Sequence, residues 1–149
     1  MIVVFLLIVA VDQLVKYWAY TSLRPVGSIP VINQIFHLTY TENTGAAFSM
    51  LSGQGLFLTV VPILACGLIL YLLFSRRVDH PLGRWALLFL LSGAVGNLID
   101  RVFRGFVVDF IDFRVIRFAI FNVADIFITI GAVLLFVYLL FFSETRHKA

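Results

Sequence analysis

The sequence predicts an all-α polytopic membrane protein, with four transmembrane helices and a small β-structured lobe outside the bilayer. Three observations carry that reading. Of 149 residues, 62% are hydrophobic and 13% charged, with a mean hydropathy of +1.06, whereas a soluble domain is about half apolar and a quarter charged. Four apolar runs, at about 2–20, 56–74, 85–103 and 118–142, approach the roughly 20 helical residues that cross a hydrocarbon core. Between them lie two stretches, about 21–55 and 104–117, too polar or too broken by Gly, Pro, Asn and Ser to span. The whole of residues 1–149 is expected to form one membrane-embedded domain.

The first run, Ile2 to about Tyr20, has neither the positive leading region nor the small-residue cleavage site of a removable signal, so it reads as a retained helix. Near its end Asp12 and Lys16 stand four apart, acid first, the favourable order for a pair on one helix face. In the following polar stretch, Val31 to Tyr40 is rich in β-branched and aromatic residues, which suits a short strand or hairpin. Asn43-Thr44-Gly45-Ala46-Ala47-Phe48 comes next, with an amide able to bond a peptide main chain and small residues that permit close approach.

The second run, Leu56 to Phe74, holds no charge; its Cys66 is the chain's one cysteine, which excludes a disulfide framework or a cysteine metal site and fits a packing role. Ser75 to Arg84 contains Pro81 and Gly83 and reads as a turn. The third run carries Ser92, Gly93 and Gly96, small residues of the kind that mark helix contacts in lipid. It also carries Asn97, Asp100 and Arg101. Counted at 1.5 Å per residue from Trp85, Asp100 lies about 22 Å into a core of about 30 Å.

Polar groups therefore gather toward one end of the first, third and fourth runs. Charge does not orient them: Arg76, Arg77, Arg84, Arg146 and Lys148 fall on one side, against Lys16, Arg24, Arg101, Arg104, Arg114 and Arg117 on the other. A net charge of +3 spread over helix ends and loops is no nucleic-acid stripe, and no DNA or RNA partner is expected.

The most informative residues are aspartates in costly places. A carboxylate at the centre of a membrane helix costs roughly 2.5–3.5 kcal/mol even on the lenient insertion scale, and so marks a functional site by default. Asp125 lies near the start of the last run, and Asn122, three positions before it, is expected on the same helix face. In Val107 to Phe113, an extended segment would send Asp109 and Asp112 to opposite faces, so only one could readily meet Asp125. Two neighbouring carboxylates cannot both ionise cheaply; one is driven to hold a proton, and such a dyad activates water. The histidines are dispersed, without a His-Glu-x-x-His motif, and no cofactor or metal is expected. A proton-coupled transporter is the alternative that intramembrane Asp, Asn and Arg also allow, although the second run would contribute no polar group to a relay.

Asp12-Gln13-x-x-Lys16, Asn43 to Phe48, Gly93-Ala94-x-Gly96-Asn97-x-x-Asp100-Arg101, Val108-Asp109-Phe110 and Phe121-Asn122-x-Ala124-Asp125 occur in one order. In this the chain resembles bacterial lipoprotein signal peptidase, also called signal peptidase II. The resemblance implies a membrane aspartic endopeptidase of the cell inner membrane, which removes the signal peptide from prolipoproteins by cleaving before a diacylglyceryl-modified cysteine. It implies Asp109 and Asp125 as the catalytic dyad, with Asp12, Lys16, Asn43, Gly45, Asn97, Asp100, Arg101 and Asn122 binding substrate or shaping the site. It further implies both termini in the cytoplasm, the site near the outer face, contact with membrane lipid, inhibition by a globomycin-type peptide and action as a monomer. The spacing of 16 positions from Asp109 to Asp125 makes a short link for the family, rendered basic by Arg114 and Arg117, which implies an altered flap over the site.

Overall fold

The computed structural model describes residues 1–45, 55–116 and 118–142. Ala46, Ala47, Phe48 and Arg117, singled out above, lie outside the described residues, as do Arg146 and Lys148. Among the described residues four helices are long and apolar enough to cross a membrane, the first of them counted through Leu23. They are α1 (Ile2–Trp18), α2 (Gly55–Phe74), α3 (Pro81–Arg104) and α4 (Val123–Phe141). Three strands, β1 (Ser28–Ile32), β2 (Phe36–Asn43) and β3 (Val107–Phe113), make one antiparallel sheet in the order β1-β2-β3.

Each predicted span exists, and three of its boundaries differ from expectation. The first helix does not stop at Tyr20 but runs on through a π-helical turn, Ala19–Leu23, in which the Arg24 amide donates to the Ala19 carbonyl. The third begins at Pro81 rather than Trp85, so Gly83 and Arg84 belong to the helix and not to the turn. Proline suits the first helical position because its missing N–H would have had no partner there. His80 accepts from the Leu82 amide and caps the end. The fourth begins at Val123, not 118, because Phe121 is held out of the helix by two-way backbone bonds with Ile111.

Helix α3 is the centre: half of its spanning segment is buried, against 22% or less in the other three. Small residues let α4 approach it. A side chain at Gly93 would collide with the Ala124 carbonyl, and one at Gly131 would meet the Leu90 amide at 2.7 Å. Apolar groups pointing away from the bundle, such as Leu64 and Phe141, are exposed to the surroundings that lipid would fill.

Strand β3 leaves the end of α3 after Gly105, whose φ of +80° closes the helix as its N–H donates a hydrogen bond to the Arg101 carbonyl. Its Val108 and Phe110 pack with Ala19 and Leu23 at the end of α1. The strand thus lies across one end of the bundle, and alternation turns Asp109 the other way. In β2 a bulge between Leu38 and Thr41 shifts the register. His37 therefore pairs with Asp112 while Thr41 pairs with Asp109, so β2 serves both faces of a strand whose two aspartates point apart.

Candidate active site

The site begins with the amino end of α4. Asn122 is its N-cap: the side-chain oxygen accepts from the Asp125 amide at 3.0 Å, and Asp125 Oδ2 accepts in return from the Asn122 amide at 3.2 Å. This reciprocal capping box satisfies two backbone donors that a helix start leaves unpaired. Asn122 is therefore not on the helix face with Asp125, as a start at 118 would have had it, but extended before the first turn. That geometry frees its amide nitrogen, which donates to Asp109 Oδ1 at 2.6 Å.

Asp109 is 2% exposed. Its other oxygen accepts from Asn43 Nδ2 at 3.0 Å, a diagonal neighbour across the β2–β3 ladder. Asp125 Oδ1 accepts from Asn97 Nδ2 at 2.7 Å. All four oxygens of the two carboxylates thus hold an N–H donor. Burial, and after it the charge of Asp125, pushes Asp109 up to about 6 from the usual carboxylate range.

Asp112 is not part of this arrangement. It accepts from Thr39 Oγ1 at 2.7 Å and from Arg114 Nε at 3.0 Å on the opposite face of β3.

A cavity of about 490 Å³ opens onto Asp109 and Asp125, with Asn43, Asn97 and Arg101 on its polar side and Phe118, Ile126 and Ile130 among its apolar lining. Arg101 donates to the Gly45 carbonyl at 3.1 Å, and the Gly45 amide donates to Asn43 Oδ1 at 2.9 Å. The guanidinium and Gly45 together hold the chain that carries Asn43. A second space of about 470 Å³ borders Asn43 and Arg101 on the α2 side, against Leu56 and Leu58.

The remaining expected residues stand behind the cavity. Lys16 Nζ lies 3.0 Å from Asp12 Oδ2 and 3.1 Å from Asp100 Oδ2, with all three side chains buried. Asp12 Oδ1 accepts from the Ala124 amide at 2.8 Å, and Asp100 Oδ2 from the Val108 amide at 3.1 Å. These two carboxylates tie the starts of α4 and β3 to α1 and α3. Arg104 pairs with Asp100, so the cluster of two acids and two bases is neutral.

Two members were missed in the sequence. Arg104 is four positions after Asp100, acid first, the same signal that marks Asp12 with Lys16. Gln13, quoted above only as part of a motif, donates to the Gly96 carbonyl at 3.0 Å and to Asp12 at 3.2 Å. Among the described residues no cluster of three His, Cys, Asp or Glu side chains could hold a metal.

Comparison with known proteins gives this arrangement a family. Residues 4–141 match the family described as Signal peptidase (SPase) II. A lipoprotein signal peptidase of Clostridioides difficile is 48% identical over 143 residues, covering 96% of each chain. One from Caldanaerobacter subterraneus is 48% identical over 134 residues, 90% of this chain and 91% of its own. A solved structure titled as a bacterial membrane enzyme at 2.3 Å superposes with a TM-score of 0.88 at 35% identity, covering 99% of this chain and 90% of that one. With a match that runs through all four spans and both polar lobes, the chain belongs to the signal peptidase II family of membrane peptidases.

Proposed function

We propose that the protein is an aspartic endopeptidase that removes signal peptides from prolipoproteins, cutting before the diacylglyceryl-modified cysteine, with Asp109 and Asp125 as its catalytic pair. The observation that carries this is the burial of two carboxylates at one cavity where β3 crosses the helix bundle, each gripped by asparagine amides. Asp109, whose carboxyl is raised to about 6, is assigned the proton in the reacting form. Asp125, at the positive end of the α4 dipole, is the anion. It takes a proton from water as the water oxygen bonds to the scissile carbonyl carbon. Asp109 donates its proton to the carbonyl oxygen, and collapse of the tetrahedral adduct breaks the C–N bond as a proton passes to the leaving amine.

The apolar lining beside this polar edge suits a substrate whose acyl chains stay in the bilayer while its peptide bond reaches the interface. Both termini are assigned to the cytoplasm, the site to the outer face, and the active unit to a monomer. The polar groups of α1, α3 and α4 meeting at the lobe end support one accessible face. A globomycin-type cyclic peptide is expected to compete for the cavity.

The test is cleavage of a lipidated prolipoprotein by purified variants. Asp109→Asn and Asp125→Asn should each abolish turnover, while Asp112→Asn should cleave within about threefold of wild type. Substantial turnover by either of the first two would overturn the pair.

A further inference from the structure

One cation sits behind the two carboxylates and makes no hydrogen bond or ion pair with either. Lys16 is wholly buried. Besides its contacts with Asp12 and Asp100, its ammonium donates to Asn97 Oδ1 at 2.8 Å. A carboxamide has an accepting end and a donating end, and the two orientations of Asn97 are not equivalent in these surroundings. With Oδ1 toward the ammonium, and also accepting from Asn122 Nδ2 at 3.1 Å, Nδ2 is left to donate to Asp125 Oδ1 at 2.7 Å. Turned over, Asn97 would set its NH₂ against an ammonium and its oxygen against a carboxylate. Both contacts repel, and away from water the repulsion is poorly screened.

Asn122 belongs to the same chain of amides. Its nitrogen is shared between Asn97 Oδ1 and Asp109 Oδ1, and its oxygen takes the Asp125 amide. We infer that Lys16 is a positioning residue for the reaction: its ammonium sets the polarity of the Asn97–Asn122 amide chain, and through that chain aims one side-chain N–H at each carboxylate. The inference rests on the reading of Asp109 and Asp125 as the catalytic pair. Asp12 and Asp100 hold the ammonium in place, and Arg104 balances the second of them.

The consequence is a change in turnover rather than in substrate affinity, since Lys16 lies outside the cavity lining. The positive charge also adds to the forces that favour ionised Asp109, so its removal should carry the alkaline limb of the pH profile upward.

The experiment uses the full chain in lipid nanodiscs, with a synthetic diacylated lipopeptide spanning the cleavage site. Lys16→Met is combined with Asp12→Asn, which keeps the buried cluster neutral, and Asp12→Asn alone is the reference. The double variant should fold, lose at least tenfold in kcat with KM within about twofold, and show the shifted alkaline limb. A folded double variant with the reference kcat and an unmoved profile overturns the inference. Should it fail to fold, Asp12→Asn with Lys16→Gln carries the test, because the glutamine amide still donates toward Asn97. There kcat within about threefold of the reference supports the inference, and a folded protein tenfold slower overturns it. Asp125→Asn separates the two levels: if it cleaves, the pair has failed rather than the role of Lys16.

Discussion

Asp109 and Asp112 stand three positions apart on one strand and meet opposite environments. Around Asp109 burial outweighs the bonds from Asn43 and Asn122, and the carboxyl rises to about 6. Around Asp112 burial pushes the same way but is overcome by the bonds from Thr39 and Arg114, and the carboxyl falls below its usual range. Each shift is also a stability term. Between the ordinary value of 3.8 and about 6, folded Asp109 binds more proton than the unfolded chain does, so stability falls as pH rises through that window. The cost above it is about 3 kcal/mol. Thermal unfolding in detergent should show Asp109→Asn without that downward slope, so that wild type loses ground to the variant between pH 4 and 7. A parallel decline in both would show that Asp109 is not the source. Asp112 has the contrary sign: its depressed value stabilises above the unfolded pKa, and that contribution is lost on acidification. Strand parity states in the sequence that the two residues differ in face, but not which face meets α4. That depends on the β2 bulge and on the Phe121 bridge, neither of which has a sequence signal as plain as alternation.

The α3–α4 contact is where elements set the site. Gly93 faces the Ala124 carbonyl, and an added methyl would also meet Ile128 Cγ1 at 2.6 Å. Ala124 precedes Asp125, so what displaces one moves the other. Gly93→Ala should destabilise the protein by about 1–3 kcal/mol, the usual cost of overpacking, and lower cleavage at least tenfold. Gly67→Ala on α2, where an added methyl meets nothing within 4 Å, should leave both within error. Equal effects of the two substitutions would remove the contact as the cause. The small residues of α3 are legible as a packing face. The true start of α4 is less so, because 118–121 is as apolar as the helix that follows; the Asn122-x-x-Asp125 pattern, of the capping-box type, was the available signal.

At the scale of the whole molecule, the two lobes return the chain to the same end of the bundle. Val107 follows the last turn of α3, and Phe121, bridged to Ile111, precedes the cap of α4. With both termini assigned to the cytoplasm, Arg77 and Ile35 lie on opposite sides of the membrane. In a Cys66→Ala background, Arg77→Cys should resist and Ile35→Cys accept an impermeant maleimide added to intact cells. The reverse pattern would invert the topology. Counting Lys and Arg could not orient the chain because it spreads them five against six. Part of the basic charge on the lobe side is also spent on buried pairing, as Lys16 is with Asp12 and Asp100.

By itself the sequence determined the four spans, the extended character of the lobes and the identity of the polar residues that resist lipid. These properties are local: transfer into a bilayer depends on the composition of some twenty consecutive residues, and alternation on the next neighbour but one. Family resemblance aside, only the tertiary structure decided which aspartate faces Asp125, that Asn122 bonds across to Asp109, and that Lys16 sits behind Asn97. Those contacts join positions 13 to 81 apart in sequence. They exist because helix contact at small residues, a bulge and a cap act together, and no local pattern of hydropathy encodes that combination.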